Sequence, residues 1–268
     1  LWAARSLNQV RGVMVVGSTL LLALSVYLTI DYLALRQAGE TAEMLYTAST
    51  VWYAPLNICY SVGVDGISVA MLLLSSIIVF TGTFASWQLK PMTKEYFLWF
   101  TLLSAGVYGF FISTDLFTMF MFYEVALIPM YLLIGVWGSG QKEYAAMKLT
   151  LMLMGGSAFL LIGILGIFYG AGGDTMNLLE IAQRHIPTEM QRLFFPLIFL
   201  GFGVLGALFP FHTWSPDGHA SAPTAVSMLH AGVLMKLGGY GCFRVAMYLM
   251  PEGAEMWGDF FLVLTTIS

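Results

Sequence analysis

One short stretch of this sequence carries most of the side chains that could do chemistry. Between Phe209 and Gly241 it places three histidines, an aspartate and a lysine in a chain that is otherwise mostly hydrocarbon: His212, Asp217, His219, His230 and Lys236. A glutamate, Glu124, stands in another long apolar run. Ionisable groups are costly in an apolar setting and usually have a function there. These residue types indicate acid–base chemistry, that is, the uptake and release of protons.

The elements that must position these residues are helices that cross a membrane. Of the 268 residues, 59% are hydrophobic and only 10% are charged, whereas soluble domains have about 25% charged residues. Spans of roughly 20 apolar residues recur, without the alternation of a β-barrel. We predict an all-α integral membrane protein, a multi-span helical bundle that forms a single membrane domain over residues 1–268 of a longer chain. The predicted spans, about eight, cover residues 12–35, 66–89, 96–114, 115–137, 144–169, 193–209, 224–249 and 255–268.

The composition and the cysteines argue against several classes of function. Cys59 and Cys242 offer neither a disulfide framework nor a metal-ligand spacing. The net charge of -4 is small and dispersed, which argues against nucleic acid as a partner. The sequence has no glycine-rich nucleotide loop, no HExxH motif and no cysteine cluster for iron and sulfur. We therefore predict no metal site, no cofactor and no redox chemistry in this chain.

The lysine and arginine residues predict the orientation of the chain. When loops are assigned to alternate sides, six basic residues fall on the side where the first span begins: Arg5, Arg11, Lys90, Lys94, Lys142 and Lys148. The other side has Arg36, Arg184, Arg192 and Arg244. Because cytoplasmic loops are enriched in positive residues, we predict that the first span begins in the cytoplasm.

Glu124 is the strongest single candidate for proton transfer. It lies nine residues after Asp115, on a span of about 22 residues, and is therefore close to the middle of the bilayer. Hydrocarbon disfavours the charged carboxylate and a nearby cation favours it, so that a glutamate under both influences can load and unload a proton. Asp115 occupies the start of the same span, where capping of the helix is its expected role.

Lys236 and His230 lie on one predicted span, and both are candidates for proton transfer. An ammonium at mid-span must face a cavity or a partner. The two residues are six positions apart, which places them about 120° apart around the helix and roughly 9 Å apart along it. They cannot touch, but one or two water molecules could connect them. A buried histidine is as often a hydrogen-bonded structural group as a proton relay.

Prolines interrupt the helices between residues 209 and 224. Pro210 and Pro216 are the predicted hinge of a broken helix, and helices broken at membrane depth are tolerated where they line a hydrated cavity. We predict that His212 takes part in proton transfer, and that Asp217 and His219 are structural or capping residues. Lys148 lies near the start of its span, where a proton-transfer role and a side chain that simply reaches the interface are equally compatible with the sequence.

Three motifs resemble the antiporter-like M subunit of respiratory complex I, the NADH:quinone oxidoreductase. They are Phe122–Gly135 around Glu124, the stretch His212–Ala225 with its continuation Leu234–Gly241, and Gly63–Ser68. The resemblance extends over essentially the whole chain. It implies an antiporter-like fold of fourteen spans, of which this chain has the second to the ninth, with a broken helix near Pro210.

The resemblance also implies a function. Glu124 and Lys236 match the glutamate of the fifth helix and the lysine of the eighth helix on a proton path, which quinone reduction elsewhere in the complex drives. FMN, iron–sulfur clusters and quinone are then expected in partner subunits, both membrane and peripheral, and the location is a bacterial plasma membrane. One position departs from the family, because Leu205 replaces the usual lysine of the seventh helix. We hypothesise that His230 takes over its cationic role beside Glu124.

Two alternatives remain open from the sequence. The chain could be a subunit of a multisubunit Na⁺/H⁺ antiporter or of a membrane-bound hydrogenase, since these assemblies share the same module. It could also be a quinone-binding redox enzyme in its own right, although the sequence offers no ligand set for a redox cofactor.

Overall fold

Six helices of the computed structural model are long and apolar enough to cross a membrane. The structure describes Leu1 and residues 6–268, so that Arg5 of the charge count lies outside the described residues. The six helices confirm the predicted membrane bundle, with ends that differ from the prediction by a few residues. They are α1 (Leu7–Gln37), α2 (Gly66–Ala85), α3 (Thr93–Ile112), α4 (Leu116–Trp137), α5 (Lys142–Gly170) and, after the short helix α6 (Leu178–Ala182), α7 (Thr188–Leu205).

A β-hairpin interrupts the helical pattern between α1 and α2. Strand β1 (Leu45–Tyr53) pairs antiparallel with β2 (Ile58–Val64), in a register that aligns Thr50 with Tyr60. The sequence predicted no strands between the spans at residues 12–35 and 66–89. The hairpin forms one end of the bundle, which we call the hairpin face, and there Asp65, Asp115 and Asn177 cap the helices that re-enter the bundle. Each cap satisfies backbone N–H groups that the helix leaves free.

Short loops meet at the opposite end of the bundle, which we call the loop face. The backbone N–H of Ser139 donates to the carbonyl of Ser221 at 2.8 Å. The indole of Trp137 donates to the carbonyl of Pro91 at 2.9 Å, and the guanidinium of Arg11 lies over the Trp87 ring, 5.0 Å from its centroid. These contacts bring the ends of α1, α2 and α4 to one side of the bundle.

Glycines permit the close approach of the central helices. A Cβ atom at Gly163 of α5 would collide with the Ile198 side chain of α7, and one at Gly109 of α3 would collide with the Phe122 ring of α4. Small residues at such positions let helix backbones approach in membranes, where van der Waals packing stabilises helix pairs. Glu124 is therefore held on a helix that packs tightly against α3.

The helix break near Pro210 is confirmed. Helix α7 ends at Leu205, and α8 (Trp214–Ser221) begins only after a single 3₁₀ turn over Phe211–Thr213. The predicted hinge at Pro216 is wrong, because Pro216 lies inside the first turn of α8. Proline is tolerated there because the N–H groups of a first turn have no partner within the helix. Only Pro210 lies in the break itself.

The predicted span 224–249 is helical, but it is not a single α-helix. Helix α9 (Thr224–Leu229) continues into a π-helical segment over His230–Leu234, then into α10 (Met235–Gly241) and a second π-helical segment over Cys242–Met247. The final helix, α11 (Pro251–Ile267), follows. π-helical turns are rare and often accompany functional sites. Here one of them contains His230 and the other Arg244.

Candidate functional site

Asp115 caps α4, as the sequence predicts. Its carboxylate accepts from the backbone N–H of Thr118 at 3.0 Å and from that of Cys59 in β2 at 3.1 Å. The side chain is fully buried. The cap therefore fixes the start of α4 and also joins it to the hairpin, which sets the depth of every later residue on that helix.

Glu124 lies near the middle of α4, half-buried and without a cationic partner. Its Oε1 atom is buried and has no hydrogen-bond partner among the described residues. The hydroxyl of Ser157 on α5 lies beside the carboxyl group. None of the ion pairs between described residues includes Glu124. A buried carboxyl oxygen without a hydrogen-bond partner costs free energy unless it binds a water molecule or a proton.

Lys148 and Asp217 form an ion pair between α5 and α8. Their Nζ and Oδ2 atoms are 2.7 Å apart, and the two side chains are 23% and 43% exposed. The ammonium also lies 5.7 Å from the centroid of the Tyr144 ring. Asp217, predicted to be a structural or capping residue, does not cap α8, because its carboxylate is directed to α5 and forms an ion pair between the two helices. Spacing along α8 could not reveal this partner.

Three aromatic rings form a stack beside this ion pair. The imidazole of His230 lies between the rings of His219 and Trp214, with centroid distances of 4.3 and 5.2 Å. The Nδ1 atom of His219 is 3.1 Å from the hydroxyl of Ser227, and the Trp214 indole donates to the carbonyl of Val204 at 3.1 Å. His219 thus forms part of the contact between α8 and α9.

His230 itself is fully buried, and neither of its ring nitrogens has a partner among the described residues. The structure does not bring it to Glu124. Its ring faces α8, whereas the polar neighbour of Glu124 is Ser157 on α5. The hypothesis that His230 replaces the missing lysine beside Glu124 is therefore not supported, because the start of the π-helical segment directs this side chain to the broken helix.

Leu205, at the position of that missing lysine, is fully buried in the hydrophobic core at the end of α7. His212 lies in the break that follows. It is half-buried, stacks on Phe209 at 5.7 Å, and has a buried Nδ1 atom with no partner among the described residues. The break therefore places the His212 ring partly inside the bundle, where its Nδ1 atom has no hydrogen-bond partner among the described residues.

Lys236 is exposed in this chain and lines a cavity. The cavity has a volume of about 630 Å³, and its lining includes Lys236, Gly239 and Tyr240 of α10 and Met71 of α2. The ammonium also lies within electrostatic range of the His219 ring. Lys236 is thus connected to the histidine stack on one side and to an open volume on the other.

A second charged cluster, which the sequence did not predict, lies at the hairpin face. Arg244, only 8% exposed, pairs with the Asp65 carboxylate that caps α2 and lies 3.6 Å from a carboxylate oxygen of Glu43. Its guanidinium is 5.6 Å from the centroid of the Tyr248 ring. The signal was present in the sequence, because Lys236, Tyr240 and Arg244 recur every four residues along one helical face.

Among the described residues, no three His, Cys, Asp or Glu side chains lie together as metal ligands. The fold and the site define a polytopic helical membrane protein with a broken helix and with ionisable side chains buried between its spans. The family described as "NADH:quinone oxidoreductase/Mrp antiporter, TM" matches residues 113–268. This match covers more than half of the chain, and the chain belongs to that family.

Individual relatives agree with this assignment. NAD(P)H-quinone oxidoreductase chain 4 3 of Picosynechococcus is 36% identical over 85% of this chain and 42% of its own length. A subunit of respiratory complex I from Thermus thermophilus, solved with bound NADH, has a TM-score of 0.84 at 25% identity and covers 95% of this chain and 52% of its own length. A subunit of an archaeal membrane-bound sulfane sulfur reductase shares the fold, with a TM-score of 0.84 at 23% identity, over 98% of this chain and 53% of its own length. This chain therefore spans about half the length of its relatives.

Proposed function

We propose that this chain is part of a proton-translocating membrane subunit of an NADH:quinone oxidoreductase. The observation that carries the proposal is the row of ionisable side chains across the interior of the bundle. These side chains lie on four elements, in the order α4, α5, α8 and α10. The Lys148–Asp217 pair joins α5 to α8, and the Lys236 ammonium lies within electrostatic range of His219, while a stretch of α5 separates Ser157, the neighbour of Glu124, from Lys148. Such groups are retained inside a membrane protein where they conduct ions or protons.

The row begins at Glu124, whose unpartnered carboxyl oxygen leaves room for a proton or a water molecule. Ser157 on α5 provides the next hydroxyl. Nine residues earlier on the same helix, about 13 Å along its axis, Lys148 holds Asp217 of the broken helix. Because that ion pair is partly exposed near the loop face, it is the proposed point of entry for protons from the cytoplasm.

The row continues through the histidine stack to Lys236. His219 contacts Ser227 and His230, and Lys236 lies within electrostatic range of His219. A proton that arrives at one of these groups changes the proton affinity of its neighbours, because close ionisable groups titrate together. Conformational change at the break near Pro210 would move α8, which carries Asp217 and His219, and so couple transfer to events elsewhere in the complex.

The redox chemistry is assigned to other chains. The relative from Picosynechococcus is a chain of an NAD(P)H-quinone oxidoreductase, which supports partner subunits, both membrane and peripheral, that bind FMN, iron–sulfur clusters and quinone. The lipid bilayer is the other partner, with a bacterial plasma membrane as the proposed location. In this assembly the chain contributes only proton transfer.

Replacement of Glu124 by glutamine in the full-length subunit tests the proposal. The amide cannot exchange a proton at neutral pH, so we expect proton uptake by membrane vesicles to fall strongly relative to quinone reduction. Proton uptake is followed with a pH-sensitive dye, and quinone reduction by NADH oxidation.

Glu143→Gln is the matched control, because Glu143 is an exposed acid in the first turn of α5. It should leave the ratio of protons to electrons unchanged. An unaltered ratio in Glu124→Gln would contradict the proposed function.

A second candidate is a subunit of a multisubunit Na⁺/H⁺ antiporter, since the family description names both kinds of complex. Purification of the intact assembly separates the two. Flavin and iron–sulfur absorbance in the purified complex supports the oxidoreductase, whereas a preparation without redox centres that exchanges Na⁺ for H⁺ supports the antiporter.

A further inference from the structure

We propose that the hydroxyl group of Ser157 is a rotating hydrogen-bond partner that serves both protonation states of Glu124. The inference rests on the proposed function, to which it adds a positioning residue at the acid itself. None of the ion pairs between described residues includes Glu124. A buried acid that carries protons nevertheless needs a polar partner both with its proton and without it, because an unsatisfied buried group costs free energy in either state.

Contacts between α4 and α5 hold the two side chains together. Tyr123, which precedes Glu124 in α4, donates its hydroxyl to the carbonyl of Leu153 in α5 at 3.1 Å. Ser157 lies about one turn after Leu153, and its hydroxyl lies beside the Glu124 carboxyl group. Ser157 is only 8% exposed, so that the protein supplies the hydrogen-bond partners of this hydroxyl.

Helix α7 presents apolar residues next to Ser157. At Gly156, α5 packs so closely on α7 that a Cβ atom would lie 2.9 Å from the Cβ atom of Val204 and 3.1 Å from the carbonyl oxygen of Gly201. Leu205, which follows in α7, is fully buried. The polar side chain that the structure places beside the acid is therefore an uncharged hydroxyl.

The hydroxyl proton of Ser157 is directed away from the acid. Its Oγ atom donates to the backbone carbonyl of Met154, three residues earlier in α5, at 3.0 Å. Because a hydroxyl group has one proton and two lone pairs, Ser157 can accept from Glu124 in this arrangement but cannot donate to it. A protonated carboxyl group has an O–H to donate, whereas an ionised one accepts only. The observed arrangement therefore fits the protonated acid.

Rotation of the same hydroxyl provides for the ionised acid. When Glu124 passes its proton to a water molecule, the carboxylate requires a donor, and Ser157 can turn its O–H from the Met154 carbonyl to the carboxylate. The return of a proton to Glu124 reverses the rotation. The serine proton stays on its oxygen throughout, so that only the proton of Glu124 is transferred and Ser157 is unchanged after each cycle.

The test removes this hydroxyl in the full-length subunit within its assembled complex. Ser157→Ala leaves Glu124 without the partner in both states, whereas Ser157→Thr keeps a hydroxyl at the same position. Ser104→Ala is the matched control, because the buried Ser104 of α3 also donates to a carbonyl of its own helix, that of Phe100, at 2.8 Å.

Two quantities are measured. The ratio of protons to electrons is obtained from proton uptake and quinone reduction in membrane vesicles. The carbonyl stretch of protonated Glu124 is recorded by infrared spectroscopy of the purified complex at acidic pH, as the band that Glu124→Gln removes.

We expect Ser157→Ala to lower the ratio of protons to electrons, though by less than Glu124→Gln because the acid is still present, and to shift the carbonyl band. Ser157→Thr should restore the ratio, and Ser104→Ala should change neither quantity.

Wild-type pumping or an unshifted band in the assembled Ser157→Ala complex would refute the inference, and the proposed function would stand as long as Glu124→Gln loses pumping. If Ser157→Ala does not assemble, the hydroxyl is a structural group and the inference is likewise refuted. Wild-type pumping by Glu124→Gln would instead refute the proposed function.

Discussion

Two sets of charged and polar groups in this bundle differ in how well they are satisfied. At the hairpin face, Arg244 is held by two carboxylates and an aromatic ring. On α4, in the helix break and in the first π-helical segment, by contrast, buried polar atoms of Glu124, His212 and His230 have no partners among the described residues.

This difference separates two functions that buried charge can have. A satisfied cluster fixes the relative positions of its elements, and here it joins α2, the segment before the hairpin, and the second π-helical segment. An unsatisfied group is costly in isolation, and it is retained where water or a proton visits it. We infer that the hairpin-face cluster holds these elements in place and that the unsatisfied groups take part in proton transfer.

The largest expected effect on stability comes from Arg244→Gln. This substitution leaves the mostly buried Asp65 carboxylate without its cation. Removal of one partner of a buried ion pair lowers the free energy of unfolding by about 3–5 kcal/mol. The free energy of unfolding in detergent measures this cost. Arg184→Gln is the control, because Arg184 pairs with Asp174 in an exposed loop, and such pairs contribute about 0–1 kcal/mol. Equal losses in the free energy of unfolding of Arg244→Gln and Arg184→Gln would show that the buried ion pair contributes no more to stability than the exposed one.

A smaller effect of opposite sign is expected for His230→Phe. The new ring keeps the stacking with Trp214 and removes two buried nitrogens without partners, so we expect stability to stay constant or to rise by about 1 kcal/mol. Proton uptake per electron should fall, because the relay loses a titratable group.

His185→Gln, which changes an exposed histidine, should alter neither quantity. A large loss of stability in His230→Phe would place His230 among the satisfied structural groups and contradict the comparison.

The smallest effect on stability is expected for Lys148→Gln. The pair with Asp217 is partly exposed, so its loss should cost no more than about 1 kcal/mol. Proton uptake should nevertheless decline, because the proposed entry loses its cation.

Lys142→Gln is the matched control on the same helix, since Lys142 donates to the carbonyl of Val136 at the loop face. It should leave both quantities unchanged. If Lys148→Gln lowered the free energy of unfolding as much as Arg244→Gln, the Lys148–Asp217 pair would contribute to stability as the Arg244 cluster does, which would contradict the comparison.

The sequence predicted the elements better than the contacts between them. Apolar length alone predicted the long helices, and proline predicted the break near Pro210. The cap at Asp115 followed from its position before an apolar run. The hairpin over residues 45–64 was not predicted, because it is held by contacts with Asp115 and with the backbone at Thr114, which lie far away in the chain.

Side-chain partners far apart in the chain were the least predictable part of the site. Lys148 and Asp217 are 69 residues apart, and Arg244 and Asp65 are 179 residues apart. His230 was expected beside Glu124, but its ring packs against α8 instead.

The sequence by itself determined that the chain is a helical membrane protein, which residues are ionisable within its spans, and where one helix must break. Hydrocarbon content and proline chemistry act locally, so they can be read without a fold. Only the tertiary structure decided which charges are paired, because the pairing depends on helix rotation and on close approach at glycines such as Gly109 and Gly163. The unsatisfied groups at Glu124 and His230, and the ion pairs of Arg244, exist only once the helices are packed.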